Sequence, residues 1–181
     1  MKIVESNIPE IKIIEPDIYA DNRGYFLESF RSDLFKKNGI ETDFVQDNIS
    51  KSSRGTLRGL HYQKEQPQAK LIKCIYGAIL DVAVDIRTFS KTFAQYVSVE
   101  LSEHNHKQIY VPEGFAHGFL VLSETAIVCY KCSTYYHKQS ERGIIWNDPQ
   151  IGVEWEINEP ILSDKDKNQP TLKSLTEKDL F

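Results

Sequence analysis

The chain of 181 residues has little of what marks several classes of protein. It has three cysteines, an odd number that argues against a disulfide framework and suits a reducing compartment. A net charge of −4 leaves no basic surface for nucleic acid or an anionic membrane, so an anionic ligand depends on local basic residues. No apolar run approaches the length of a membrane span, and MKIVESNIPE lacks the apolar core of a signal peptide. We therefore expect a cytoplasmic protein that binds neither nucleic acid nor membrane.

The apolar segments of the chain have mainly the sequence pattern of β-strands. Apolar residues make up 40% of the chain, and the length fits one domain spanning residues 1–181. Short stretches rich in Val, Ile, Tyr and Phe are separated by Gly, Pro, Asn or Ser: IKIIEPDIY, KLIKCIYGAILDVAVDIR, FAQYVSVELS, KQIYVPEGFAHGFLVL and TAIVCYKCSTYY. This pattern predicts a mainly β protein, a jelly roll or a related barrel.

Only a few short helices are expected beside these strands. SDLFKKNG predicts one, with Ser32 as its N-cap and Gly39 ending it. The charged tail predicts a second, beginning at about Thr171.

Three patterns that suggest a metal or redox site have simpler interpretations. Cys129 and Cys132 have C-x-x-C spacing but lie in a strand-like run, where positions three apart point to opposite faces. His104 and His106 lie in a polar turn with no further ligand nearby in sequence. The segment from Asp21 to Gly24 is a turn signal. We therefore predict no metal site and no cofactor.

Polar residues suited to catalysis or ligand binding lie in four otherwise strand-like segments. They are Arg58 with His61 in GTLRGLHYQ, Lys70 at the start of a strand, His117 in VPEGFAHGF, and Tyr130 on a face shared with Ala126, Val128 and Cys132. Each residue also has a structural interpretation when it is taken alone. The histidines could be satisfied core or turn residues, the lysine could protect a strand edge, and the tyrosine could be a packed aromatic.

Longer motifs carry a resemblance to a known family. RGTLRGLHYQ, DVAVDIR, VPEGFAHGFLVLSE and WNDP, in this order, resemble the dTDP-4-dehydrorhamnose 3,5-epimerase family, and the match extends from DNRGYFLE to LSDKD. The resemblance implies a cupin jelly-roll barrel that forms homodimers and uses no metal. Metal-binding cupins have an H-x-H pair where this chain has His61-Tyr62-Gln63, so one ligand is missing.

The resemblance also implies catalytic roles. His61 is the base, Tyr130 the acid, and Lys70 the cation beside the C4 oxygen of the sugar, with Asp81 as its potential counter-ion. Asp166 would orient His61, although Asp164 two residues earlier remains an alternative.

Binding roles are implied for residues along the whole chain. Arg58 and Arg23 would hold the phosphates, and Phe26 would stack on thymine. Strict alternation would turn Arg58 and His61 to opposite faces, so the backbone must bend, most easily at Gly59. The remaining implied contacts are Glu28, Gln46, Asp47, Asn48, His117, Tyr136, Glu141 and Lys165. In the family the N-terminal strand is exchanged across the dimer, and we expect the tail from about residue 160 to pack over the site.

The implied reaction is the inversion of C3 and C5 of dTDP-4-dehydro-6-deoxy-D-glucose, giving dTDP-4-dehydro-L-rhamnose for dTDP-L-rhamnose biosynthesis. Two alternatives stay open: inversion at C3 alone on a related dTDP sugar, and a cupin that binds a nucleotide sugar without catalysis. The phosphate contacts would also accept GDP or CDP, and only Phe26 and the segment Gln46–Asn48 favour thymine.

Overall fold

The computed structural model describes residues 1–181, and strands dominate it. Thirteen strands are numbered here in chain order: β1 (Lys2–Glu5), β2 (Lys12–Glu15), β3 (Ile18–Asp21), β4 (Gly24–Leu27), β5 (Gln46–Ser53), β6 (Leu57–Gln63), β7 (Lys70–Tyr76), β8 (Ala78–Asp85), β9 (Tyr96–Ser102), β10 (Gln108–Val111), β11 (Phe115–Val121), β12 (Thr125–Cys132) and β13 (Glu141–Gly143). The helices are α1 (Ser32–Lys37) and α2 (Asp164–Lys167), with 3₁₀ turns at Lys138–Ser140 and Leu172–Ser174.

These strands form two antiparallel sheets and a separate hairpin. The larger sheet has the order β1-β2-β10-β7-β12-β5, and the smaller has the order β13-β6-β11-β8-β9. Strands β3 and β4 pair only with each other. The predicted mainly β jelly-roll fold with few short helices is confirmed.

The smaller sheet has its central strands β8 and β11 buried on both faces, which explains the nearly continuous apolar sequences of these two strands. Its inner face packs Ile79 and Phe119 against Ile72 and Val128 of the larger sheet. Its outer face is covered by C-terminal residues and forms a second hydrophobic cluster with them. This cluster includes Val82, Val84, Leu120, Trp155, Leu172 and Leu180. Polar residues on the inner face, such as His117 and Asp81, therefore lie inside the sandwich and not in solvent.

A bulge in β6 resolves the orientation of Arg58 and His61. Arg58 is opposite Phe119 and His61 is opposite His117, so three residue steps on β6 match two on β11. The extra residue lets both side chains face the interior, as the bend predicted at Gly59 requires. Gly59 has φ of +133°, and an added Cβ would lie 2.5 Å from the Cα of Gly118.

Replacing Gly59 with alanine is expected to destabilise the protein by about 3 kcal/mol or more, because backbone strain and a collision with backbone both oppose the methyl group. Gly39 is the matched control, since it also has positive φ but meets no atom within 4 Å. Gly39→Ala should cost only about 1–2 kcal/mol, the penalty of a left-handed backbone alone. Urea unfolding of both variants measures the difference, and equal losses would contradict the steric argument.

Two helix predictions were inaccurate in detail. Helix α1 begins at Ser32, but Arg31 occupies the N-cap position without a side-chain cap, so Ser32 does not cap it. Gly39 does follow the helix in the left-handed region, as predicted. The short helix predicted from about Thr171 begins there, with Thr171 as its N-cap, but it is a 3₁₀ turn at Leu172–Ser174, and the helix at Asp164–Lys167 was not predicted. Proline at position 170 and the docking of Leu172 in the core favour this broken arrangement.

The other local predictions agree with the structure. Cys132 is buried on the inner face of β12 with Ala126 and Val128, whereas its C-x-x-C neighbour Cys129 is only partly buried and lines a separate cavity. His104 lies in a turn. None of the helices has the length and apolar character needed to cross a lipid bilayer.

Candidate active site

The predicted catalytic residues meet in a cavity between the two sheets. One compartment, of about 330 Å³, is lined by residues that include Tyr136 and Glu141, and we name it the Tyr136 compartment. A second, of about 220 Å³, is lined by residues that include Arg58 and Asp166, and we name it the Arg58 compartment. His61, Lys70 and Tyr130 line both compartments. A base, a cation and a phenol therefore surround the junction, where one bound molecule would contact all three.

His61 is held by a carboxylate from the C-terminal tail. Its Nε2–H donates to Asp166 Oδ1 at 2.5 Å, which leaves Nδ1 free to accept a proton. Asp166 is 3% exposed, whereas Asp164 forms a surface ion pair with Lys167. The carboxylate that contacts His61 is thus Asp166 and not Asp164. Burial would raise the pKa of Asp166, but the hydrogen bonds and charge of His61 and a bond from Ser163 outweigh it, so the pKa is lowered.

Tyr130 lies on β12, on the inner face that alternation predicted. Burial raises the pKa of its hydroxyl, the charge of Cys132 adds to the effect, and Arg58 partly opposes it. A phenol with a raised pKa keeps its proton at neutral pH until it transfers the proton to a strongly basic group. Tyr130 is therefore suited to donate to a carbanion or enolate and unsuited to remove a proton.

Lys70 opens β7 and does not form the ion pair with Asp81 that was predicted as a possibility. Asp81 accepts from His117 Nε2 at 2.9 and 3.0 Å, and Glu141 pairs with Lys165, so neither carboxylate serves as an ion-pair partner of Lys70. Burial lowers the pKa of Lys70, and the charges of Asp81 and Glu141 only partly oppose it. A buried ammonium whose pKa is lowered is stabilised most by an oxygen that becomes negatively charged beside it.

The inner face of β5 supplies a row of polar side chains. Gln46 and Asn48 line the Tyr136 compartment, and a hydrogen bond of 3.0 Å joins their side chains. Asp47 points to the other face of the sheet and pairs with Lys131, so it lines neither compartment within one chain, and its predicted substrate contact stays a prediction. A strand turns alternate residues to opposite faces, so the side chain of Asp47 points away from those of Gln46 and Asn48.

Two further residues of this row were not predicted from the sequence. Ser50 lines the Arg58 compartment, and Ser52 Oγ accepts from Arg58 Nε at 3.1 Å. Alternation from Gln46 and Asn48 would have found both serines, because positions 46, 48, 50 and 52 share a face. Ser163 was also missed, and no sequence signal beyond its place before a short helix marks it.

A small network borders the Tyr136 compartment. Glu141 accepts from Lys165 Nζ at 2.7 Å and from the Tyr136 hydroxyl at 3.1 Å. Burial opposes ionisation of Glu141, but the bonds from Lys165 and Tyr136 lower its pKa overall. These three predicted binding residues come from a loop, from β13 and from α2, and the fold brings them together.

Three predicted binding residues lie elsewhere within the chain. Arg23 and Phe26 border a separate cavity on the β3–β4 hairpin, and Glu28 lines another beside it. The Phe26 side chain is 69% exposed, and Arg23 pairs with Asp21 of its own hairpin. A single chain therefore does not bring these residues to His61.

Comparison with known proteins decides the family. The family model described as dTDP-4-dehydrorhamnose 3,5-epimerase matches residues 5–174. The chain belongs to this family. A dTDP-4-dehydrorhamnose 3,5-epimerase of Shigella flexneri is 50% identical over 170 residues, which cover 93% of this chain and 94% of the relative. Its counterpart in Methanothermobacter thermautotrophicus is 47% identical over 175 residues, 95% of each chain.

A solved structure of such an epimerase extends the comparison to the fold. The RmlC of Legionella pneumophila, in complex with dTDP-4-keto-L-rhamnose, superposes with a TM-score of 0.96 at 48% identity. The match covers 99% of this chain and 96% of that one. The chain is therefore a sugar-nucleotide epimerase of the cupin jelly-roll type, as the motifs predicted.

Proposed function

We propose that the chain converts dTDP-4-dehydro-6-deoxy-D-glucose into dTDP-4-dehydro-L-rhamnose by inverting C3 and C5, a step of dTDP-L-rhamnose biosynthesis. The observation that carries the proposal is the meeting of His61, Lys70 and Tyr130 at one junction. The relatives bearing this activity and the sugar nucleotide in the Legionella complex support the same substrate class. The free cysteines support a cytoplasmic setting.

The first half of each inversion is proton removal beside the C4 ketone. Nδ1 of His61 accepts the proton from C3 or C5, and the electron pair moves towards the C4 oxygen to form an enolate. Asp166 stabilises the resulting imidazolium through its contact with Nε2. The ammonium of Lys70 stabilises the enolate oxygen. This stabilisation supplies much of the reduction in the barrier to proton removal, because the ammonium lies in a largely buried site.

The second half returns a proton to the opposite face. The Tyr130 hydroxyl donates to the carbon, the C4 carbonyl re-forms, and the centre is inverted. Each event leaves His61 protonated and Tyr130 ionised, so both exchange protons with solvent before the second carbon reacts. Deuterium from heavy water should therefore enter both C3 and C5.

NMR of the purified protein with dTDP-4-dehydro-6-deoxy-D-glucose in heavy water tests the proposal. Deuterium at C3 and C5 together with the L-rhamno product supports it. Label and inversion at C3 alone would establish the restricted alternative, and binding without exchange would establish a non-catalytic cupin. The GDP and CDP forms of the sugar serve as competitors that test the preference for thymine.

Lys70→Met is expected to lower kcat by about 10²- to 10³-fold, because the enolate oxygen loses its cationic partner. The effect on KM should be smaller, since the ketone is neutral in the ground state. Lys91→Met, at an exposed position in a turn, is the control and should retain full activity. Unchanged turnover in the Lys70 variant would remove it from the mechanism.

We further propose a homodimer in which the β3–β4 hairpin completes the partner's site. Within one chain Arg23, Phe26 and Glu28 lie apart from His61, and the hairpin exposes Tyr19, Tyr25 and Phe26. Exposed aromatic clusters of this kind are typical of association surfaces. A shared site would bring the phosphate-binding cation Arg23 and the stacking ring Phe26 to the substrate.

Mixing two inactive variants tests this arrangement. One is His61→Asn, and the other carries Arg23→Ala with Phe26→Ala. If sites are shared, co-refolding equal amounts should restore about one quarter of wild-type activity at low substrate, because mixed dimers contain one intact site. If each site lies within one chain, mixing restores nothing. Analytical ultracentrifugation measures the dimer itself.

A further inference from the structure

The segment that delivers Asp166 is attached to the body of the protein on both sides. Before it, the Ile161 carbonyl accepts from the Leu57 amide at 3.0 Å, at the start of the strand that carries His61. After it, the Leu172 amide donates to the buried carboxylate of Asp148 at 2.7 Å. These contacts fix the backbone of the segment, but they do not fix the rotation of the Asp166 side chain.

Ser163 supplies the contact that fixes this rotation. Its hydroxyl donates to Asp166 Oδ2 at 2.8 Å and accepts from the Asp166 amide at 3.1 Å, which also caps helix α2. The other carboxylate oxygen, Oδ1, accepts from His61 Nε2 at 2.5 Å. Each oxygen of this buried carboxylate therefore has its own side-chain donor.

We propose that Ser163 is a positioning residue for proton transfer. Its hydroxyl orients the Asp166 carboxylate so that Oδ1 holds the Nε2–H of His61 and Nδ1 faces the cavity as the free base. The inference rests on the proposed function for its kinetic consequence, but its structural content concerns the His61 tautomer alone.

The chemistry of a hydroxyl explains why the contact matters. Ser163 has one hydroxyl hydrogen, and the geometry commits it to Oδ2. Without it, a buried oxygen would lack a donor, and the carboxylate would gain by rotating away from His61 or by taking up a proton. Either change weakens the bond that selects the Nε2–H tautomer, and a misplaced base loses rate even when substrate still binds.

Three substitutions separate positioning from helix capping. Ser163→Ala removes both the hydroxyl and the cap. Ser163→Gly also removes the hydroxyl but remains an acceptable N-cap. Ser163→Thr restores both. Ser174→Ala is the matched control, because that serine donates to the Thr171 carbonyl in the same tail and has no contact with Asp166.

The readouts are steady-state kinetics and ¹⁵N NMR of the imidazoles, with the His61 signals assigned by their loss in His61→Asn. We expect the wild type to show one Nε2–H tautomer at neutral to mildly alkaline pH. The alanine and glycine variants should show mixed tautomers and a kcat about 10- to 100-fold lower, with KM changed less than about twofold. Ser163→Thr and Ser174→Ala should resemble the wild type.

Two results would overturn the inference. A wild-type tautomer in folded Ser163→Gly would show that Asp166 needs no help, whatever the activity. Failure of Ser163→Thr to restore the tautomer would show that the hydroxyl is not the active feature. If the wild type itself lacks epimerase activity while the tautomer responds as expected, the proposed function fails and the positioning role of Ser163 stands.

Discussion

Replacing His61 with asparagine is expected to abolish deuterium incorporation at C3 and C5, with turnover lower by about 10³- to 10⁴-fold. The amide of asparagine does not accept a proton at neutral pH, so it does not replace the imidazole as a base. Binding of dTDP should stay within a few fold of wild type, because Arg58, Gln46 and Asn48 are untouched. Heavy-water NMR measures exchange, and calorimetry measures binding.

The control for this variant is His104→Asn, which changes an exposed histidine in the turn after β9. It should exchange and turn over at the wild-type rate. Exchange at either carbon in His61→Asn at the rate of the wild type would show that another group removes that proton. His117 would then be the first candidate, because it lines the Arg58 compartment and pairs with buried Asp81.

Replacing Tyr130 with phenylalanine should separate exchange from inversion. His61 still removes the proton and Lys70 still stabilises the enolate, so label can re-enter from the His61 face with retention of configuration. Inversion needs a donor on the other face, and we expect it to fall by about 10²- to 10⁴-fold. The ratio of exchange to inversion, measured on one sample, is the diagnostic quantity.

Tyr135→Phe is the matched control, since that tyrosine is exposed and next to the site without lining either compartment. Its exchange and inversion rates should equal those of wild type. Equal inversion by Tyr130→Phe and wild type would exclude this phenol as the acid. A parallel loss of exchange and inversion would instead assign Tyr130 to binding or to enolate stabilisation.

Local patterns in the sequence were enough for several structural conclusions. The glycine at position 59 allowed a bend to be predicted between Arg58 and His61, and the bulge opposite Gly118 confirms it. Alternation placed Tyr130 on the inner face of β12. The same rule separated Cys129 from Cys132. Each of these depends on backbone geometry over a few residues, which neighbouring side chains control directly.

Other features depended on contacts between distant segments. His61 and Asp166 are 105 positions apart, and only the folded chain distinguishes Asp166 from Asp164. The partner of Asp81 proved to be His117, on the adjacent strand β11, and not Lys70. Asp47 lies on the opposite face of β5 from Gln46 and Asn48 and pairs with Lys131, so the cavity of its own chain does not test its predicted substrate contact.

The sequence by itself determined the β class, the family and the chemical identity of the groups around the cavity, because strand periodicity and the long motifs are carried by adjacent residues. Only the tertiary structure decided which carboxylate holds His61, which residue holds that carboxylate, and that the hairpin bearing Arg23 and Phe26 stays away from its own cavity. Those outcomes follow from sheet order and from the path of the tail, which result from packing the whole chain and are not encoded in any short segment.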